Sequence, residues 1–262
     1  MADLLDYQLL ELKPIPKGVW PAFDLFLQSP EQLTARIVQG RDLPQVCGLF
    51  LLISIATATL YGGVMGSTNL LQGAPMELWQ KFALIGATAL KVPVLFLATL
   101  AIVFPPMYVS NAFAGARLSL GQLAAAMLGA VAIASTLLAS LATVAAFFSL
   151  TTNGYHFMKL LHVVFFIFAG VSSLDFLLSI LNHLGQNQGR TTPFHLRIGW
   201  LLLYAFVGTQ LAWVMRPFIA SPNEPFELFR ERSGNFYESV QDSVKSFATG
   251  KAERPAKTED TY

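Results

Sequence analysis

LGQLAAAMLGAVAIASTLLASLATVAAFFSL, residues 120–150, contains no charged side chain. An α-helix rises about 1.5 Å per residue and a bilayer's hydrocarbon core is about 30 Å thick, so about 20 such residues cross it. In lipid every backbone N–H and C=O must be bonded internally, which leaves helices and closed barrels. Barrel strands announce themselves as alternation over about ten residues, and this run is apolar without alternation. Two helices and a turn would need about 34 residues or more. The stretch therefore predicts one span, at 122–148, tilted or leaving a turn outside the lipid.

Working outward from it, the same criterion finds four further spans, at 44–66, 82–104, 158–181 and 196–215. The second carries Lys91 and Pro93 and is expected to stop at Pro105-Pro106, because both residues lack the amide donor and must end or kink the helix. The expected fold is all-α: a polytopic membrane helical bundle of about five transmembrane helices, with amphipathic surface segments at both ends.

Composition agrees. Of the 262 residues 54% are hydrophobic and 13% charged, against about 25% charged in a soluble domain. Between Pro44 and Arg216 the only acids are Glu77 and Asp175. A net charge of +1 gives no electrostatic footprint for nucleic acid. One cysteine, Cys47, makes neither an intrachain disulfide nor a thiolate metal site. The acidic start Met-Ala-Asp-Leu-Leu-Asp-Tyr is not that of a cleaved signal peptide.

The ends divide by pattern. Residues 1–43 form a polar region holding an interfacial pre-helix, with Trp20, Phe23 and Phe26 at headgroup level; Ser29-Pro30-Glu31 reads as a helix start. Residues 44–216 hold the bundle. After it, Trp213 and Arg216 mark the interface and Pro217, Pro222 and Pro225 stop the last helix. Residues 217–247 read as an interfacial strap ending in a short amphipathic helix with Phe236, Val240, Val244 and Phe247 on one face. The polar tail 248–262 is expected to be disordered.

Polar residues inside the spans are the candidate sites. Lys91 and Asp175 are costly in hydrocarbon, so each is expected to face the bundle, pair or snorkel. Their depths differ by about 9 Å, so a direct pair needs a register offset. His162 lies about 20 Å along one helix from Asp175, too far to share a metal, and reads as a hydrogen-bonded core residue. After Pro105 and Pro106, Asn111 is a polar contact at a broken helix end; Arg216 and Pro217 close the last span. No HExxH, carboxylate cluster or nucleophile with a base at motif spacing is present, so neither catalysis nor a cofactor is expected. Gly62 and Gly66 form a GxxxG, and small residues recur at Gly129, Ala132, Ser135, Ala139 and Ala142, which predicts close helix packing and a central third helix.

Five spans, a polar N-terminal region and the segment Phe104–Gly115 resemble the Yip1 (YIPF) type of five-helix membrane protein. Trp213-x-x-Arg216-Pro217-Phe218 with the following 226–238 stretch is similar to a signature of bacterial multi-pass membrane proteins. The first resemblance implies a role in membrane trafficking or membrane-protein organisation, with no catalytic residues to carry over.

The reading that follows is a non-catalytic integral membrane scaffold, anchor or assembly subunit. Its partners would be membrane lipids and other membrane-protein subunits, or further copies of itself. The alternative is a small-solute or ion transporter using Lys91 and Asp175 inside the bundle. A bacterial inner membrane, or another internal membrane, is the expected location. Flanking cations divide five against five, and the polar C-terminal tail points to a cytoplasmic C-terminus.

Overall fold

The computed structural model describes residues 7, 10–16, 18–71, 77–113, 118–152, 154–186, 194–216, 218–219, 237–238, 240–241 and 244–245. These form seven helices, with no strand among the described residues: α1 (Val19–Gln28), α2 (Pro30–Gln39), α3 (Leu43–Gly66), α4 (Leu78–Phe113), α5 (Leu120–Thr151), α6 (Tyr155–Gln186) and α7 (Phe194–Val214). A single turn, Thr68–Leu71, follows α3.

Helices α3 to α6 are long and apolar enough to cross a membrane, and the chain is built as a multi-pass membrane protein. The fifth expected span is α7, whose described apolar part, Ile198–Val214, is shorter than the other four. The helices overrun the apolar stretches at several ends because hydropathy marks the lipid-facing part, while hydrogen bonding carries a helix on into the interface. The 120–150 stretch is one uninterrupted helix, α5, opened by a capping box in which the Ser119 hydroxyl accepts from the Gln122 amide.

Helix α4 does not stop at Pro105-Pro106. It runs through Pro93, Pro105 and Pro106 to Phe113, a length of 36 residues. Proline's fixed φ is itself helical, and each ring removes one bond while the flanking turns keep theirs; with no water in the hydrocarbon, unwinding would cost more bonds than continuing. Pro105 and Pro106 sit on the exposed face, and no broken backbone forms at membrane depth here.

Helix α5 is central. It packs against α3 and α6; α3 also packs on α4, and α4 carries α7 on its far side. The fit between α3 and α4 depends on Gly62 and Gly66. A methyl group at Gly62 would lie 2.6 Å from the Thr88 carbonyl oxygen, and one at Gly66 would lie 2.9 Å from Ile85 Cα. The GxxxG thus serves packing within the chain. On α5, Gly129 admits the ring edges of Phe50 and Phe176, and Ala132, Ser135 and Ala142 are buried.

The N-terminal region closes one end of the bundle. Trp20 of α1 is exposed, whereas Phe26 turns inward onto Phe50 of α3. Helix α2 begins at Pro30 as its sequence suggests, although the Ser29 side chain makes no capping bond. Every residue from Gln32 to Val38 is buried, despite the polar composition of that helix. Its polar side chains are used on backbone carbonyls. Arg36 donates to the carbonyls of Gln32 and Lys13, and Gln39 to those of Tyr7 and Leu10. Gln32 accepts from the Lys13 amide at 3.2 Å. Gln122 of α5 donates to the Ile37 carbonyl at 3.0 Å, so one residue caps α5 and satisfies the end of α2. Burial lowers the proton affinity of the Arg36 guanidinium, and Asp42, 3.8 Å away, opposes that shift. Gly40 ends α2 in the left-handed conformation at φ 70°, which a side chain would strain.

At the C-terminal end, the strap 217–247 and the tail 248–262 lie largely outside the described residues, Pro217 among them. Of the anticipated amphipathic helix, Tyr237, Glu238, Val240, Gln241, Val244 and Lys245 are described, and all are helical.

Candidate functional site

Two regions hold the polar chemistry. The first is the bundle interior. Tyr61 of α3 and His162 of α6 are both buried, and the Tyr61 hydroxyl shares a hydrogen bond of 2.6 Å with His162 Nδ1. The two rings meet edge to face at 5.5 Å, and Phe166 packs on Tyr61 while stacking on Phe96 of α4. One turn away on α3, Thr57 Oγ1 lies 2.8 Å from Ser135 Oγ of α5 and also bonds to the Ile53 carbonyl. Each bond joins two helices across an apolar interface, where an unmet polar atom would be expensive.

Lys91 of α4 is 5% exposed, with its ammonium 5.9 Å from the centroid of the Phe218 ring. Thr88, one turn earlier, donates to the Phe218 carbonyl at 3.0 Å. The chain after α7 therefore folds back over α4 and covers the lysine. Beside it, the Arg216 guanidinium stacks 3.6 Å from the Trp213 ring.

Asp175 takes no part in this interior. It is exposed on the outer face of α6, and no ion pair joins it to Lys91. The two charged residues, which the transport alternative requires inside one bundle, are therefore separated, one inside and one outside. Asn111 is buried and donates to the Met107 carbonyl of its own helix at 2.8 Å. Next to it, Ser110 accepts from the Trp200 indole at 2.9 Å, tying α7 to the end of α4. No group of three or more His, Cys, Asp or Glu among the described residues is placed to hold a metal ion.

The second region is a cavity of about 260 Å³ where α2 meets the end of α6, lined by Tyr7, Pro30, Glu31, Thr34, Phe176, Ser179, Ile180 and His183. His183 Nδ1 donates to the Ser179 carbonyl at 2.6 Å, and Tyr7 packs edge-on against its ring. The cavity is a cleft at the polar rim of the bundle.

Sequence reasoning missed Tyr61 and Thr57 and took Ser135 only as a small packing residue. Ordinary hydroxyl residues in an apolar run carry no signal of their own, because the partner that makes them matter is 78 residues away for Thr57 and 101 for Tyr61. The Tyr61→Phe variant is expected to lose about 1–3 kcal/mol of stability by leaving His162 Nδ1 buried without its partner. Unfolding of the detergent-solubilised protein would show this, and a midpoint equal to that of the parent would refute it.

Comparison of the chain with protein-family models, with curated proteins and with solved structures finds no match.

Proposed function

We propose that this integral membrane protein is a non-catalytic scaffold or assembly subunit, organising other membrane proteins rather than moving a solute. One observation carries the reading. Three interior polar pairs, Tyr61 with His162, Thr57 with Ser135 and Thr88 with the Phe218 carbonyl, are joined to one another or to backbone across helix interfaces, while His162 Nε2 and the Tyr204 hydroxyl meet no hydrogen-bond partner among the described residues. Lys91 is covered by the Phe218 ring. Such bonds hold a bundle together. A translocation path would instead need polar groups left open toward water on both sides in turn.

The separation of Lys91 from Asp175 supports the same choice, since the transport alternative rests on the two working together inside the bundle. The proposed partners are other membrane-protein subunits and the surrounding lipid. The proposed setting is a bacterial inner membrane or another internal membrane, with the C-terminus in the cytoplasm. A non-catalytic organiser is also what the resemblance to Yip1-type proteins implies.

Purification of the full-length protein from its native membrane at native expression level, in mild detergent, is the direct test. Companion membrane proteins at fixed ratio are expected by mass spectrometry, and a chain recovered alone would overturn the reading. A second expectation concerns Lys91. Lys91→Met removes a buried charge while keeping its apolar stem, an exchange that is often neutral or stabilising. It should leave insertion, melting temperature and companion recovery unchanged. Abolition by this variant of an ion or solute flux measured in vesicles would establish the transporter instead.

A further inference from the structure

We infer that the outward face of α6 centred on Asp175 receives a membrane-spanning helix bearing a cationic side chain near mid-span; the inference deepens the scaffold reading and rests on it. The inner face of α6 is occupied, with Leu174, Leu177, Ile180 and Leu181 buried in the core. Its outer face carries Val164, Phe168 and Val171, each more than half exposed, and Asp175 continues their stripe one turn further on. No hydrogen bond or ion pair engages the Asp175 carboxylate among the described residues.

Position makes this exposure informative. Asp175 lies seven residues before Asn182, about 10 Å along the axis from the polar end of the helix. A lysine can snorkel over such a distance on its long stem, whereas the short carboxylate of aspartate cannot. Nor does Asp175 line the cleft at the polar rim, which takes Phe176, Ser179, Ile180 and His183 from this helix. An ionisable group left facing hydrocarbon calls for a partner that neutralises it.

Charge complementarity selects that partner. A second copy of the chain, inserted in the same direction, buries Lys91 and carries Lys81 and Lys159 near the helix ends on the opposite side; on Asp175's own side, Arg41 precedes α3 and Arg197 lies in the first turn of α7, both near helix ends rather than at the depth of Asp175. Lipid tails offer none at all. A foreign helix with one lysine or arginine near its middle would supply the charge, in the low-dielectric setting where such a pair is strongest.

The test uses the full-length protein, labelled with a donor fluorophore on a C-terminal tag, in phosphatidylcholine–phosphatidylglycerol vesicles. The probes are acceptor-labelled leucine–alanine helices that carry Lys, Leu or Glu at the central position. The Lys probe is expected to associate about tenfold more strongly than the Leu probe. That preference should vanish in Asp175→Asn. In Asp175→Lys it should pass to the Glu probe, which a misfolded variant would not show. Equal association of Lys and Leu probes with the intact protein would overturn the inference in favour of a lipid-covered face. Asp175-dependent energy transfer between two differently labelled copies would overturn it in favour of self-association. The scaffold reading fails separately, if native purification yields the chain alone while the Lys probe still binds.

Discussion

Replacing Gly62 with alanine is expected to lower the melting temperature of the solubilised protein sharply, while the same change at the adjacent Gly63 leaves it unaltered or slightly raised. At Gly62 the added methyl group would stand 2.6 Å from the Thr88 carbonyl oxygen and 3.0 Å from Ala89 Cα, both backbone atoms that move only if α3 and α4 separate. At Gly63 nothing lies within 4 Å. Overpacking of this kind costs about 1–3 kcal/mol. Alanine at an open helical position gains up to about 1 kcal/mol over glycine. Gly66→Ala should resemble Gly62→Ala, with its methyl group 2.9 Å from Ile85 Cα. Gly62→Leu should abolish recovery of monodisperse protein. Scanning fluorimetry in detergent reads the three alanine variants and size-exclusion chromatography the leucine one, and equal loss at Gly62 and Gly63 would show that the α3–α4 contact is not what the GxxxG serves. A pair that mattered for self-association would instead change the oligomeric state and leave the monomer's melting untouched.

The second large effect is expected at Arg36. Arg36→Met keeps the aliphatic stem packed but removes the donors that meet the carbonyls of Gln32 and Lys13. The Gln32 carbonyl keeps its helical bond to the Arg36 amide, so the loss is that of the Lys13 carbonyl's donor, about 1–3 kcal/mol. The loss should fall on the attachment of residues 10–16, which would then keep the hydrogen bonds of Gln32 and Gln39 and the packing of Ile15 on the core. A Glu-specific protease acting at Glu11 provides the measurement: cleavage of the folded, membrane-embedded protein should accelerate at least tenfold in Arg36→Met. Equal cleavage rates would mean that the guanidinium does not clasp the segment. The clasp itself should persist across the accessible pH range, since arginine stays protonated even when burial lowers its proton affinity.

These two sites differ in how far the sequence announced them. Gly62 and Gly66 were visible as a spacing, yet the spacing does not name its partner; Thr88 and Ile85 of α4 do so only in the folded chain. Arg36 was legible as a flanking cation and nothing more. At 1% exposure it is buried against the Lys13 carbonyl, 23 residues earlier in the chain, a partner that the sequence does not point to. The proline pair was misleading for a related reason. Local chemistry says that Pro105 and Pro106 remove donors, but whether the helix continues depends on what else could satisfy the backbone, and within a membrane nothing else does better. His162 reads as a core histidine from sequence, and the Tyr61 hydroxyl is the partner that the fold supplies.

What the sequence determined by itself is the helical class and the order of four helices long and apolar enough to cross a membrane, while the fifth expected span is shorter in its described apolar part. Each follows from one local requirement: a chain segment in hydrocarbon must bond its own backbone over about 20 residues, and uncharged runs such as 120–150 are long enough to do so. Which face of each helix points inward was decided only by the tertiary structure. In a soluble helix, polarity marks the outside. In a membrane helix the lipid-facing and protein-facing sides are both apolar, so the pattern that would assign Lys91 to the interior and Asp175 to the surface is absent from the sequence. That assignment arises from shape: from the glycines that let α3 meet α4, the small residues that let α5 sit at the centre, and the Phe218 ring that closes over the lysine.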